Sequence, residues 1–375
     1  MAGPLQGFKV IELAGLGPAP FAGMLLADLG AEVICVDRVV PTETDLRSVH
    51  SKVLRRNKQS ISLNLKQPAA IEAVLRLIES ADVLIEGFRP GVMEKLGLSP
   101  EVCLSRNPKL VFGRMTGWGQ TGPLAQAAGH DINYIALSSA LHAIGTPEQP
   151  LPPLNLVGDF GGGGMLLVAG VLAAALNARV TGKGQVVDAA MTDGSALLMG
   201  LMYGRMAEGH WRDERGQNML DGAAHFYGTY RCADGKWIAL GSIEPQFYAL
   251  LIEKSGLSDV DQTQQRDPAS WPSMRQKFER IFATRTRQEW CDVMEGTDVC
   301  FAPVLSMTEA PLHSHNVARG TFCEVEGVLQ PSVAPRFSQT PTSAIRAPAA
   351  TGADTVDILR QLGYSASEIA RLQTQ

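Results

Sequence analysis

Short β-branched runs alternate with segments of helical spacing in the first third of the chain, and this alternation restricts the fold more than any other feature. Residues 8–13 and 32–37 are β-rich, and the apolar residues of 18–29 between them recur at helical intervals. The strand pattern returns at 82–86 and 109–115. The alternation predicts an α/β fold with a Rossmann-like, mostly parallel sheet that binds ligands at the carboxyl ends of its strands.

A different pattern begins after residue 222. Residues 226–231 and 236–242 predict a β-hairpin through an Asp-Gly turn, followed by amphipathic helices. The chain therefore predicts two domains with connecting segments. These are a large α/β domain over 1–190 completed by 325–375, a linker helix over 191–222, a small α+β domain over 223–312 and a return linker over 313–324.

The composition excludes several classes of protein. With 375 residues, 45% of them hydrophobic, the chain is too apolar for disorder. Its 33 basic and 38 acidic residues give a net charge of −5, which argues against a nucleic-acid partner. An anionic ligand would have to be bound by a local cluster of basic residues.

The cysteines and the apolar segments indicate the cellular compartment in which the protein is expected. The six cysteines are far apart and form no C-x-x-C pair, and the first residues do not have the pattern of a signal peptide. Reduced thiols in the cytoplasm are therefore expected. The longest apolar stretch, 165–177, is shorter than a membrane span requires, so no membrane association is expected.

The loop after the first predicted strand imitates a dinucleotide-binding fingerprint. Gly15 and Gly17 have the spacing of the first two glycines, but Pro20 occupies the position of the third. We therefore expect a tight turn with Pro18 near the first helical position rather than an NAD site.

A basic segment over 47–66 is unusual in this acidic chain. It has no acid, and two interpretations are open, a solvated loop or a seat for a polyphosphate. Its basic residues are Arg47, Lys52, Arg55, Arg56, Lys58 and Lys66.

Three further residues are candidates for acid–base chemistry. His130 follows a loop at the expected start of a helix, where a histidine can transfer protons near neutral pH. Asp159 precedes four glycines, which suggest the close approach of a ligand or of neighbouring backbone. Glu244 precedes Pro245 and could be only a helix N-terminal charge. No spacing typical of metal ligands is present.

Several motifs in order along nearly the whole chain resemble the family III CoA-transferase (CaiB/BaiF-type) superfamily, and within it the racemases rather than the transferases. Histidine at position 130, followed by Asn133 and Tyr134, carries that distinction. The motifs are residues 12–15, 115–123, 129–134, 158–163, 182–188 and 243–248.

The resemblance implies a CoA site and an interlocked homodimer, with CoA as part of the substrate and no separate cofactor or metal. It implies that the basic segment binds the phosphates and the adenine of CoA. The residues implied in binding are Arg38, Leu63, Asn64, Leu65, Lys66, Arg89, Gly129, Asp131, Ile132, Asn133, Tyr134 and Met191.

The resemblance also implies the chemistry, which is the interconversion of (2R)- and (2S)-2-methylacyl-CoA thioesters through an enolate in lipid metabolism. His130 and Asp159 would be the two bases, and Glu244 of the other subunit would pair with His130. The backbone N–H of Asp131 would stabilise the enolate oxygen. Met191 would contact the acyl chain. The alternative is an acyl-CoA:carboxylate CoA-transferase in which Asp159 is the nucleophile.

Overall fold

A computed structural model describes residues 2–39 and 53–374, and the chain divides into two compact units. The first unit is Met1–Ala140, Pro153–Met199 and Phe322–Gln375, and the second is Leu141–Pro152 and Gly200–Thr321. Residues 191–198, expected in a linker helix, lie in the first unit because they pack on the helix that carries Asp159. The predicted domain limits themselves stay a prediction.

Six parallel strands form the centre of the first unit, in the order β3-β2-β1-β4-β5-β6. They are β1 (Lys9–Leu13), β2 (Glu32–Asp37), β3 (Gln59–Ser62), β4 (Val83–Glu86), β5 (Val111–Thr116) and β6 (Gln185–Ala190). The α/β class and the parallel sheet are confirmed. Strand β3 was not predicted, because Ile61 is the only large apolar residue in a polar run.

The helices of both units are short to medium in length. They are α1 (Pro18–Asp28), α2 (Pro68–Glu79), α3 (Val92–Lys95), α4 (Pro100–Arg106), α5 (Asp131–Leu137), α6 (Ala140–Ala143), α7 (Leu166–Thr181), α8 (Met191–Leu198), α9 (Gly200–Ala207), α10 (Pro245–Ser255), α11 (Trp271–Phe282), α12 (Arg287–Met294), α13 (Ser314–Arg319), α14 (Thr355–Gln361) and α15 (Ala366–Thr374). A π-helix, Leu156–Met165, precedes α7, and 3₁₀ turns lie at Val53–Arg55, Gln262–Gln264 and Ala310–Leu312.

The strand order places a binding edge between β1 and β4. Chain connections leave these neighbouring strands in opposite directions, and in open α/β sheets ligands bind at such a switch point, beyond the carboxyl ends of the strands. Helix α1 begins there with Pro18 in its first turn, after Gly17 at φ +70°, which confirms the predicted tight turn.

The π-helix and α7 form one continuous helix, Leu156–Thr181, of 26 residues. By length and composition it could cross a membrane, so the expectation that no segment is long enough is wrong on that measure. The reason is that the π-helix extends the apolar stretch at its amino end. Leu167, Val171 and Ala174 are buried, so one face of this helix packs in the core of the first unit.

The second unit contains a three-stranded antiparallel sheet packed against helices. Its strands are β7 (Tyr227–Arg231), β8 (Trp237–Gly241) and β9 (Phe301–Val304), in the order β7-β8-β9. The predicted hairpin is confirmed by the pairing of β7 with β8. Its core is aromatic, with Tyr230, Phe278 and Trp290 fully buried.

The C-terminal residues return to the first unit. Strands β10 (Phe322–Val325) and β11 (Val328–Pro331) form an antiparallel hairpin. Two helices, α14 and α15, follow it and are separate because Gly363 adopts φ +84° between them. Their buried residues Ile358 and Leu372 join the core on one face of the parallel sheet.

Candidate active site

A cavity of about 690 Å³ lies at the switch point, where the carboxyl ends of β1, β4 and β5 meet. Seven of the fifteen predicted site residues line this cavity. Those are Arg89, Gly129, His130, Asn133, Tyr134, Asp159 and Met191. The cavity therefore brings the two candidate bases into one space.

His130 stands immediately before α5 and is solvent-exposed. Its backbone N–H donates to Oδ1 of Asn133 at 3.0 Å, and its carbonyl accepts from the Asn133 N–H at 2.8 Å. These reciprocal bonds fix the start of the helix. The predicted position of His130, at the boundary between a loop and a helix, is confirmed.

Asp159 lies in the π-helix, Leu156–Met165. The glycines after it allow close packing: a Cβ on Gly162 would come 2.5 Å from the backbone nitrogen of Ser195 in α8. A Cβ on Gly163 would come 3.0 Å from the side chain of Met191. The lack of side chains at these glycines therefore allows neighbouring protein to pack closely, which is the second of the two interpretations given for them. A π-helical segment often occurs at functional sites.

The surroundings of Asp159 favour its protonated form. Burial raises the pKa of Asp159, a hydrogen bond from Asn155 Nδ2 at 3.2 Å lowers it, the charge of Asp131 raises it, and that of His130 lowers it. The net direction is upward. A carboxyl with a raised pKa is a stronger base when it is ionised and a usable acid when it is protonated.

Tyr134 forms a rigid wall of the cavity. Its ring packs edge-on against Trp118, with centroids 4.7 Å apart, and its hydroxyl donates to the carbonyl of Gly129. A Cβ on Gly117 would lie 2.1 Å from this ring, so that position has no room for a side chain. Burial and the charge of Asp159 raise the pKa of Tyr134, and the charge of Arg89 lowers it. The phenol therefore stays neutral and structural.

The other residues implied in CoA binding lie outside the cavity lining, further along the same sheet edge. Arg38 follows β2 and Lys66 follows β3, and both are exposed. Asn64 accepts the Lys66 N–H at 3.2 Å, which shapes the loop. Leu63 is only 1% exposed and packs in the core, so its role in binding CoA stays a prediction.

Leu65 and Ile132 also stay predictions as binding residues. Leu65 is partly buried and packs against the same core, and Ile132 is exposed on the first turn of α5. Asp131 does not line the cavity with its side chain, which is buried beneath it.

The interpretation of the basic segment as a phosphate seat needs a larger correction. Arg55, Arg56 and Lys58 pair with Asp37, Asp28 and Glu12 at 2.5, 2.6 and 2.6 Å. These acids lie upstream of the segment, so the local sequence gives no sign of them. Arg47 and Lys52 lie outside the described residues.

Lys66 and Arg38 are the exposed basic residues that remain for phosphate among the described residues of β2, β3 and their loops. Their approach to CoA stays a prediction.

Glu244 belongs to the second unit, where it directly precedes α10 and is exposed. Its pairing with His130 stays a prediction. Met191, expected to contact the acyl chain, lines the cavity. Within 2–39 and 53–374, no three His, Cys, Asp or Glu residues are grouped to hold a metal ion.

Several residues of the cavity were not singled out from the sequence. They follow β1, β4 and β5 directly, so the rule that ligands bind at carboxyl ends of parallel strands could have found them. They are Leu16, Gly87, Phe88 and Pro90, together with Trp118 of the motif over 115–123, to which no role was assigned.

Comparison with known proteins identifies the family of this chain. The profile of CoA-transferase family III matches residues 5–355. The chain belongs to this family. The resemblance inferred from the motifs is thereby confirmed.

Curated relatives divide between two activities. The chain is 46% identical over 374 residues to the α-methylacyl-CoA racemase of Mus musculus, covering 99% of this chain and 96% of the relative. It is 44% identical over 373 residues to that of Homo sapiens, with coverage of 99% and 96%. The succinyl-CoA–L-malate CoA-transferase alpha subunit of Chloroflexus aurantiacus is 29% identical over 403 residues, with coverage of 99% and 92%.

Solved structures share the fold. A CaiB/BaiF family protein from Brucella suis aligns with a TM-score of 0.81 at 24% identity, covering 96% of this chain and all of the other. A hypothetical protein, Rv3272, from Mycobacterium tuberculosis aligns with a TM-score of 0.79 at 27% identity, covering 95% and 99%.

Proposed function

We propose that this protein is an α-methylacyl-CoA racemase, which interconverts (2R)- and (2S)-2-methylacyl-CoA thioesters. One observation carries the proposal: a histidine and an aspartate with a raised pKa line the same cavity. The full-length identity of 44–46% to two racemases supports it. The proposed role is in the metabolism of branched acyl chains.

The chemistry follows from the weak acidity of the thioester α-proton. One base removes that proton and leaves an enolate, and the conjugate acid of the other base returns a proton to the opposite face. Asp159 starts ionised and His130 protonated for one epimer, and the reverse holds for the other. The α C–H bond that is broken is re-formed on the opposite face with no net gain or loss of electrons, so the proposed mechanism uses no cofactor.

The enolate oxygen requires a fixed donor. The first N–H groups of a helix have no partner within the helix, and the N–H of Asp131 is the first of α5. We assign it to the thioester oxygen, where a preorganised donor stabilises the developing charge.

CoA would extend from this cavity along the sheet edge toward β2 and β3. Arg89 lines the cavity, and Arg38 and Lys66 follow the neighbouring strands in the order of the sheet. Arginine and lysine side chains suit phosphate oxygens. The acyl chain would lie against Met191, whose flexible side chain accepts many shapes.

A CoA-transferase is the alternative, because Asp159 is also placed to attack a thioester carbonyl. The similarity to the Chloroflexus transferase supports it, but the identity to the racemases is higher.

The two activities separate in one experiment. The protein is incubated with pure (2R)-2-methyldecanoyl-CoA in D2O without a carboxylic acid, and the product is read by chiral analysis and mass. A racemase incorporates one deuterium at the α-carbon and moves either epimer toward an equal mixture. Turnover only with an added carboxylate, together with an Asp159 anhydride that hydroxylamine traps, would assign a transferase instead.

We also propose a homodimer, with Glu244 of one subunit beside His130 of the other. An apolar stripe on α7 supports the dimer: Leu176 is 66% exposed and Val180 is 87% exposed. Exposed apolar stripes of this kind mark interfaces. All six thiols are free, which supports a reducing, cytoplasmic location.

Sedimentation at low concentration tests the dimer. The double substitution Leu176→Glu and Val180→Glu places charges in the stripe, so we expect a monomer with little racemase activity. Lys183→Glu, just beyond the helix, is the matched control and should remain dimeric. A wild-type monomer with full activity would contradict the proposal.

A further inference from the structure

The side chain of Asp131 links the two segments that carry the bases. It is 7% exposed, and its Oδ2 accepts the backbone N–H of Asp159 at 2.6 Å. Its Oδ1 is also buried and has no hydrogen-bond partner within the described residues. A buried carboxylate oxygen without a partner costs free energy, so its retention needs a reason.

The contact joins positions that are far apart in the chain. Asp131 directly follows His130, and the N–H that it accepts lies 28 residues further on. A Cβ on Gly158 would come 2.5 Å from Oδ2, so glycine at this position is what lets the carboxylate approach. One side chain therefore connects the backbones of both candidate bases.

Helix capping does not account for this carboxylate. The start of α5 is already fixed by the reciprocal bonds between His130 and Asn133. A neutral amide at position 131 would satisfy the Asp159 N–H equally well without burying a charge. What the carboxylate adds is a negative charge.

We propose that Asp131 is a positioning residue that sets the separation of His130 and Asp159 and holds a second negative charge beside Asp159. The inference rests on the proposed racemase activity, in which the two bases must face opposite sides of one carbon. Proton transfer depends steeply on such geometry.

Two charged or titratable side chains shift the pKa of Asp159, and two more lie near it. His130 and Asp131 come from α5 and its preceding residue, and Tyr134 and Arg89 lie on the cavity wall. Because like charges disfavour ionisation, Asp131 contributes to the upward direction of the Asp159 pKa, while His130 opposes it. Removing the charge of Asp131 should therefore lower the pKa of Asp159.

Three variants test the proposal through the pH profile of kcat/KM. Asp131→Asn keeps an acceptor for the N–H and removes the charge, so the acidic limb should move to lower pH. Asn155→Ala removes a hydrogen bond that stabilises the Asp159 carboxylate, so the limb should move to higher pH. Asp131→Ala also loses the positioning contact, and we expect kcat to fall about 100-fold. A merely structural role would not give shifts of opposite sign.

A readout that does not require activity separates this inference from the proposed function. The carboxyl of Asp159 is titrated by NMR after carbon-13 labelling, and the exchange of its amide proton is followed in the folded protein. We expect a lower pKa in Asp131→Asn and faster amide exchange in Asp131→Ala.

Each result has a distinct meaning. A wild-type protein without racemase activity would overturn the proposed function, yet the titration and the exchange would still decide the role of Asp131. An unchanged Asp159 titration in Asp131→Asn, or unchanged amide exchange in Asp131→Ala, would overturn the positioning role. Thermal unfolding checks that each variant is folded, and if Asp131→Ala fails, Asp131→Asn still decides.

Discussion

Buried charges are paired in the basic segment and incompletely paired at the cavity, although both adjoin the same parallel sheet. In residues 53–66, each buried cation has an acid: Lys58 bonds to Glu12 and Arg56 to Asp28, both at 2.6 Å. The charges cancel inside the protein, so little of this segment's positive charge is available to a ligand.

The cavity leaves its charges incompletely compensated. Beneath the cavity, one oxygen of Asp131 has no hydrogen-bond partner among the described residues, and the pKa of Asp159 is raised mainly by burial. Such perturbed carboxyls are typical of sites that move protons. The difference teaches that the uncompensated charges, rather than the conspicuous run of basic residues, locate the chemistry.

The largest expected effect is the loss of either base. His130→Ala and Asp159→Ala should each lower the epimerisation rate by roughly two to four orders of magnitude, the usual contribution of a general acid or base. The rate is measured in D2O from both epimers. If one variant keeps nearly the full rate, a two-base mechanism is excluded.

The next effect compares two lysines eight positions apart in the same segment. Lys58→Met leaves the Glu12 carboxylate buried without its cation, so we expect a loss of about 3–5 kcal/mol in the free energy of unfolding. Chemical denaturation measures it. The same substitution at exposed Lys66 is the matched control and should change stability by less than about 0.5 kcal/mol. Equal losses at both positions would show that the segment is not divided as described.

The third effect concerns binding of the acyl-CoA, for which Lys66 is expected to matter and Lys58 is not. Lys66→Met and Arg38→Ala should raise KM for the acyl-CoA about tenfold, equivalent to about 1.4 kcal/mol, with little change in kcat, because binding to phosphate is common to ground and transition states. Steady-state kinetics measures both constants. Lys58→Met, assayed where it is folded, should keep the wild-type KM. If neither Lys66→Met nor Arg38→Ala changes KM, CoA does not bind at these two residues.

Local pattern predicted the fold and much of the site, and the failures have a common cause. The alternation of strands and helices predicts the parallel sheet, and the loop-to-helix boundary places His130 correctly. The pairing of Lys58 with Glu12, however, is made 46 residues away in sequence. No local pattern contains such a contact.

The same limit explains the glycines after Asp159. Their spacing shows that something approaches closely, but whether it is a ligand or protein depends on where α8 packs. The π-helix has no signal in the periodicity, since its apolar residues also fit an α-helix.

The smallest expected effect is a loss of protein stability at neutral pH, caused by the ionisation of Asp159 in the cavity. Because the pKa of Asp159 is raised in the folded protein, folding binds its proton more tightly than the unfolded chain does. The contribution of this proton to the free energy of unfolding is fully present below the ordinary aspartate pKa of 3.8. It is lost as the pH rises through the pKa of Asp159 in the folded protein.

Asp159→Asn cannot ionise and so avoids that loss. We expect the variant to be inactive and, at pH 7, about 0.5–1 kcal/mol more stable than wild type, a size usual for gains that sacrifice function. Urea unfolding at a series of pH values should show the difference closing toward pH 4. A difference that stays constant with pH would mean that Asp159 ionises as easily in the folded protein as in the unfolded chain. Burial would then not be what equips Asp159 to act as a base.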